Sequence, residues 1–141
     1  MSAWLRRSLY SSFGLLWITG SAWLVLHFFF QSATEFGSAP HPWEPRLMVV
    51  HGVLAAIAIF FFGWLAGTHI SDHWKRGFRR VSGIVLLALI ALLALTGLGG
   101  YYLTSEPLRA GSSLLHETAG AIALVPALIH WLGKRSNGAR R

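Results

Sequence analysis

The chain has 141 residues and no cysteine. Disulfides, thiolate-bound zinc, iron–sulfur clusters and covalently attached c-type haem are therefore excluded. Charge is almost as scarce. Charged residues make up 12% of the chain, about half the roughly 25% of an ordinary soluble domain. Acidic residues are the rarest: five Asp and Glu stand against twelve Lys and Arg, a formal net charge of +7. In a soluble protein that surplus would point to nucleic acid. Here the charges sit at the ends of apolar runs, and no nucleic-acid partner is expected.

Apolar residues fill the space that charge leaves, at 54% of the chain. Residues 8–34, 47–71 and 81–105 contain no Asp, Glu, Lys or Arg, and residues 110–133 contain only Glu117. A helix needs about 20 residues to cross the hydrocarbon core, and each run exceeds that. The first follows Arg6 and Arg7 as a signal peptide would. It is too long for one and carries Trp17, Trp23 and His27, so it is read as a retained transmembrane helix. The expected fold is all-α, an integral membrane four-helix bundle in contact with lipid. It forms a single membrane domain over residues 1–141, with helices at about 8–33, 46–71, 80–104 and 111–133. A basic tail follows at 134–141. The sequence shows no internal repeat.

The basic residues orient the helices. Arg6, Arg7, Lys75, Arg76, Arg79, Arg80, Lys134, Arg135, Arg140 and Arg141 fall on one side, and only Arg46 and Arg109 on the other. The positive-inside rule then places both termini in the cytoplasm. The expected location is a plasma membrane of the bacterial inner-membrane type, crossed several times. The longest outer loop, about residues 35–46, holds Pro40, Pro42 and Pro45 and is too short for a folded domain. Any chemistry belongs to the helices or their ends.

Five of the seven histidines lie within the apolar runs: His27, His51, His69, His116 and His130. Ionisable groups at that depth are rare and usually functional. His51 and His69 are 18 residues apart, which at ~100° per residue returns them to one helix face. His116 and His130 are 14 apart, about 40° from a common face. The second and fourth helices run in the same direction, so His51 and His116 share an outer depth and His69 and His130 an inner one. Two bis-histidine pairs stacked across a membrane suit haem iron, which takes axial histidines in bundle cores. The two separations differ by about one helical turn; tilt or a kink at Pro126 would absorb it. His27 and His73 are the substitute ligands. Gly83 and Gly97 on the third helix, with Gly120 on the fourth, offer close approach for a flat cofactor.

The His51-Gly52 start and Gly67-Thr68-His69 end of the second helix, Thr96-Gly97 of the third, and the His116–Pro126–His130 pattern of the fourth resemble the small dihaem b-type cytochromes. These belong to the broad cytochrome b561-like and membrane-anchor group. The resemblance covers residues 47 to 135 or so. Members commonly draw an inner ligand from the start of the first helix; this chain has no histidine there. The resemblance implies two non-covalent haem b groups and electron transfer between quinone or quinol and a redox partner protein or larger complex. Quinone-site candidates on the outer side are Glu117, Tyr101 and His41, with Glu44 and Tyr102; Asp72 and His73 are the inner counterparts. The rival readings are a non-redox anchor subunit and a histidine-lined metal transporter. A transporter would want carboxylates between the two histidine layers, and helices two and four offer almost none.

The charge pattern makes one prediction directly. Reporter fusions at either terminus should score as cytoplasmic, and a fusion after residue 38 should not. A C-terminal fusion active only outside the cytoplasm would reverse the topology.

Overall fold

The computed structural model describes residues 3–35, 37–67 and 80–130, with only the backbone of Arg80 and Ser82. The expected helix ends at 71 and 133, the inner loop and the 134–141 tail lie outside these residues. Four helices long and apolar enough to cross a membrane account for nearly all of the described chain. The fold is all-α, as the apolar runs require, and consists of two helical hairpins.

In the first hairpin, α1 (Ala3–Phe29) packs against α2 (Glu44–Leu65). α1 starts five residues before the charge-free run. Trp4 meets Phe61 and Trp64 edge-on, with ring centroids 5.8 and 6.2 Å apart, while Leu5 and Leu9 are buried. The exposed Arg6 and Arg7 fit because long basic side chains lay their stems along an apolar helix and keep the charge wet. α1 also ends before the expected residue 33. The chain turns instead into a small antiparallel hairpin, β1 (Ser32–Thr34) with β2 (Gly37–Ala39), in the register Ser32↔Ala39 and Thr34↔Gly37. Gly37 has φ of 110°, open to glycine and strained for other residues. The Thr34 hydroxyl closes the turn by donating to the Gly37 carbonyl at 2.6 Å. This strand pair stands where the sequence suggested plain loop. Pro45 occupies the first turn of α2, where its missing N–H costs no helical bond.

In the second hairpin, α3 (Arg80–Tyr102) packs against α4 (Glu106–Ile122). α4 starts five residues before the expected 111. Glu106 and Pro107 open it, an acid at the positive end of the helix dipole and a proline in the first turn. Glu106 pairs with Arg109 one turn on. Ser112 and Ser113, near the expected start at 111, lie inside it. Ser112 donates to the Thr96 carbonyl across the interface at 3.0 Å. The regular helical bonding is interrupted at Ala123, three residues before Pro126, where the backbone N–H turns back to the Gly120 carbonyl at 3.2 Å. Pro126 has no N–H for the Ile122 carbonyl, and its ring crowds that oxygen. Helix resumes to His130, so the whole span is Glu106–His130.

Packing is inverted relative to a soluble fold. Large apolar side chains face outward, among them Phe60, Val49 and Leu95, where lipid solvates them. The buried positions go to small or hydrogen-bonded residues: Ser12 and Ala58 in the first hairpin, Thr96 and Ala119 in the second. Lipid is as apolar as leucine, so membrane helices associate through close backbone approach and polar bonds.

Gly99 tests this packing. A Cβ there would come within 3.1 Å of the Ser112 Cβ and closer still to its hydroxyl. Gly99→Val should therefore destabilise the second hairpin by about 1–3 kcal/mol, the usual cost of overpacking. The readout is a lower denaturation midpoint in detergent. An unchanged midpoint would mean that Ser112 yields freely.

Candidate functional site

His51 lies two turns into α2 and reaches across to α1. Its Nδ1 is 3.0 Å from the Thr19 hydroxyl oxygen. That hydroxyl sends its own hydrogen back along α1, to the carbonyls of Leu15 at 2.9 Å and Leu16 at 3.0 Å. With the hydrogen committed there, the Thr19 oxygen is the acceptor and the imidazole is the donor. The next residue, Gly20, makes room for the ring. A Cβ on Gly20 would stand 3.1 Å from His51 Cε1, tighter than a side chain tolerates without displacing the imidazole.

The second hairpin repeats this arrangement residue for residue. The Thr96 hydroxyl donates to the Leu92 carbonyl at 2.7 Å and lies 3.3 Å from that of Leu93. His116 Nδ1 sits 3.2 Å from the Thr96 oxygen and 3.0 Å from the Leu93 carbonyl. A Cβ on Gly97 would stand 3.2 Å from His116 Cε1. Each hairpin therefore carries a Thr-Gly pair on its first helix clasping a histidine on its second. The sequence spacing hides the match: His51 follows Thr19 by 32 residues, but His116 follows Thr96 by only 20. The β1–β2 excursion in the first hairpin accounts for most of the difference. Two Thr-Gly dipeptides in apolar runs, each followed by a histidine near the start of the next apolar run, were the available signal.

The clasp fixes a tautomer. A carbonyl can only accept, so His116 Nδ1 carries the hydrogen, and the committed Thr19 hydroxyl asks the same of His51. In both neutral rings the lone pair then resides on Nε2. Histidines that bind metal are held in this way, with one ring N–H given to a carbonyl or other acceptor and the second nitrogen aimed at the ion. Among the described residues, no three His, Cys, Asp or Glu side chains converge as a protein-only metal site requires.

The other sequence candidates divide between the hairpins. In the first, His27, His41 and Glu44 come together. His27 Nδ1 is 3.0 Å from Glu44 Oε2, and the His41 backbone N–H donates to Glu44 Oε1 at 2.8 Å. In the second, Tyr101 and Tyr102 are exposed and Glu117 is half-buried beside His116 on α4. His130 is half-buried at the end of the described α4. His69, His73 and Asp72 lie outside the described residues. Gly83 has open space where a side chain would be, and Gly120 has only Leu93 nearby, at 3.8 Å. The clearance at Gly97 is taken by the His116 ring. A comparison with family models, curated proteins and solved structures finds no match to the chain.

The clasp can be read spectroscopically without any cofactor. Nitrogen-15 NMR of the histidine rings should show His51 and His116 as neutral Nδ1–H tautomers. Thr19→Val, which keeps the shape and removes the acceptor, should shift His51 toward the Nε2–H form, and Thr19→Ser should restore it. Nε2–H rings in the unaltered protein would disprove the clasp.

Proposed function

We propose that the protein is a dihaem b-type cytochrome that carries electrons across the membrane between the quinone pool and a redox partner protein. The observation that carries this reading is the twin Thr-Gly-His clasp. It presents an imidazole from the second helix of each hairpin, each with its Nδ1 engaged by a threonine of the first. In this reading His51 and His116 would hold one haem iron, and His69 and His130 the other. Haem supplies a reversible one-electron couple at its iron. The chain supplies the rest. Thr19, Thr96 and the Leu93 carbonyl hold the rings in orientation and raise the basicity of Nε2. Gly20 and Gly97 let each ring lie against the neighbouring backbone. The lipid-facing apolar side chains keep water away from the ligand nitrogens.

The donor set favours this reading over an anchor or a transporter. An anchor has no use for two similarly clasped imidazoles. A transported ion needs a succession of weak sites, whereas a ring held by its neighbouring helix is pre-organised for permanent ligation.

A pyridine haemochrome assay on the purified protein should give two haems per chain with low-spin spectra. His116→Ala should remove one haem and leave the other intact, and His130→Ala should remove the other. The two sites are ~20 Å apart along the rise of α4, so losing one ligand should not unseat the distant haem. Less than one haem per chain would refute the assignment.

A further inference from the structure

The loop end of the first hairpin holds a third histidine in a different chemical setting. Glu44, at the start of α2, is only 5% exposed, and both of its carboxylate oxygens accept hydrogen bonds. Oε1 takes the His41 backbone N–H at 2.8 Å and Oε2 the His27 ring at 3.0 Å. The Glu44 N–H in turn donates to the His41 carbonyl at 2.9 Å, and the His41 ring accepts the Trp43 N–H at 3.2 Å. The carboxylate is thus pinned from the loop side and points at α1. The His27 ring is stacked on Trp23, with centroids 4.5 Å apart and planes 13° from parallel, and Phe28 meets it edge-on at 5.2 Å. The imidazole side chain is 36% exposed and the carboxylate 6%. The buried member of the pair is the acid, and the accessible member is the base.

We propose that His27 and Glu44 form a proton-accepting dyad for a lipid-soluble quinol, with His27 Nε2 as the base and Glu44 as its positioning partner. An ionised carboxylate can only accept, so His27 Nδ1 carries the hydrogen and Nε2 keeps the lone pair, on a side chain that is 36% exposed. When Nε2 takes a proton, the imidazolium formed is neutralised by a carboxylate already in contact, the arrangement that makes a carboxylate–histidine pair an effective general base. The location selects the substrate. The dyad sits at the end of a membrane-spanning hairpin, beside Phe28 and next in the chain to the exposed Phe29 and Phe30, a setting of aromatic side chains that suits the membrane interface. A molecule that reaches His27 from the bilayer and has a proton to give must be apolar in bulk and hydroxylated at its head. A quinol is both. Its oxidation to quinone releases two electrons and two protons. The electrons leave singly to a one-electron acceptor, the class to which ferric haem belongs. The protons leave through His27 in turn, the first passing to water before the second is taken. This inference rests on the dihaem reading for its electron acceptor. Arg46, two residues on from Glu44, lies with its guanidinium over Trp43 at 5.0 Å, and Glu35 is exposed in the loop between β1 and β2.

The experiment uses the full-length protein in lipid nanodiscs with a short-chain quinol. His27→Gln should retain both haems and reduce fully with dithionite, yet its reduction by quinol should slow by about a hundredfold, within the range general-base catalysis contributes. Glu44→Gln keeps a hydrogen-bonding side chain and loses the charge, and should slow the same step by a smaller factor. A photoreactive azidoquinone gives a second readout that needs no haem. It should label the peptide containing Trp23 to Glu44, and His27→Gln should weaken that labelling. Unchanged quinol kinetics in His27→Gln, with haem intact, would overturn the dyad, as would loss of a haem on that substitution, because His27 would then be a ligand. A haem-free unaltered protein would overturn the underlying reading instead, and the azidoquinone label would still report on the site.

Discussion

An imidazole inside a membrane helix carries an N–H that lipid cannot solvate, and leaving it unbonded costs several kcal/mol. The two hairpins meet this constraint in the same way. A threonine on the first helix turns its hydroxyl hydrogen into its own helix and presents its oxygen to the histidine of the second. Polar bonds of this kind between membrane helices contribute about 0.6 to 2 kcal/mol each, and here they do more than stabilise. With the hydroxyl hydrogen given to its own helix, the threonine oxygen is placed to accept from the ring, and this bonding favours one tautomer. The bond that joins the helices is also the bond that decides which nitrogen has the lone pair.

Glycine makes that bond geometrically available. A threonine oxygen can meet a ring on the neighbouring helix only if the helices approach closely at that level, and in both hairpins the residue after the threonine has no side chain to keep them apart. The same economy holds along the interfaces. Ser12, Ala58, Thr96 and Ala119 are buried while leucine and phenylalanine face outward. In water such a distribution would be unstable. In lipid it is the expected one, because only close contact and polar bonding distinguish a helix–helix surface from a helix–lipid surface.

The sequence made the helices legible because length and the absence of charge are sufficient signals for a membrane span. Their ends were less legible, for local reasons. Trp4 extends α1 past two arginines by packing on Phe61 and Trp64, a contact 57 and 60 residues away in the chain. The β1–β2 pair depends on a positive φ at Gly37, which composition alone cannot distinguish from a loop. In α4 the serines resembled a helix start, but Glu106 and Pro107 are better openers, and the serines serve the interface with Gly99 and Gly100. The histidines stood out because ionisable groups are scarce. Their clasps did not, because a threonine in an apolar run is ordinary until a partner helix is placed beside it, and the unequal spacing of 32 and 20 residues concealed the repetition.

The partner of each ring separates the roles of chemically identical side chains. His51 meets the Thr19 hydroxyl, and His116 the Thr96 hydroxyl and the Leu93 carbonyl, neutral groups that orient a ring without neutralising a positive charge. Such a ring serves best as a neutral donor to an ion that does not leave. His27 is held by a buried carboxylate, which orients the ring equally well and also neutralises the imidazolium once a proton arrives. Such a ring serves best as a base that is loaded and unloaded repeatedly. The placement follows the same logic. The neutral clasps lie within the span between helices, where a transient charge would be costly. The carboxylate-paired ring lies at the loop end with an exposed edge, where a proton taken from the membrane side has water within reach.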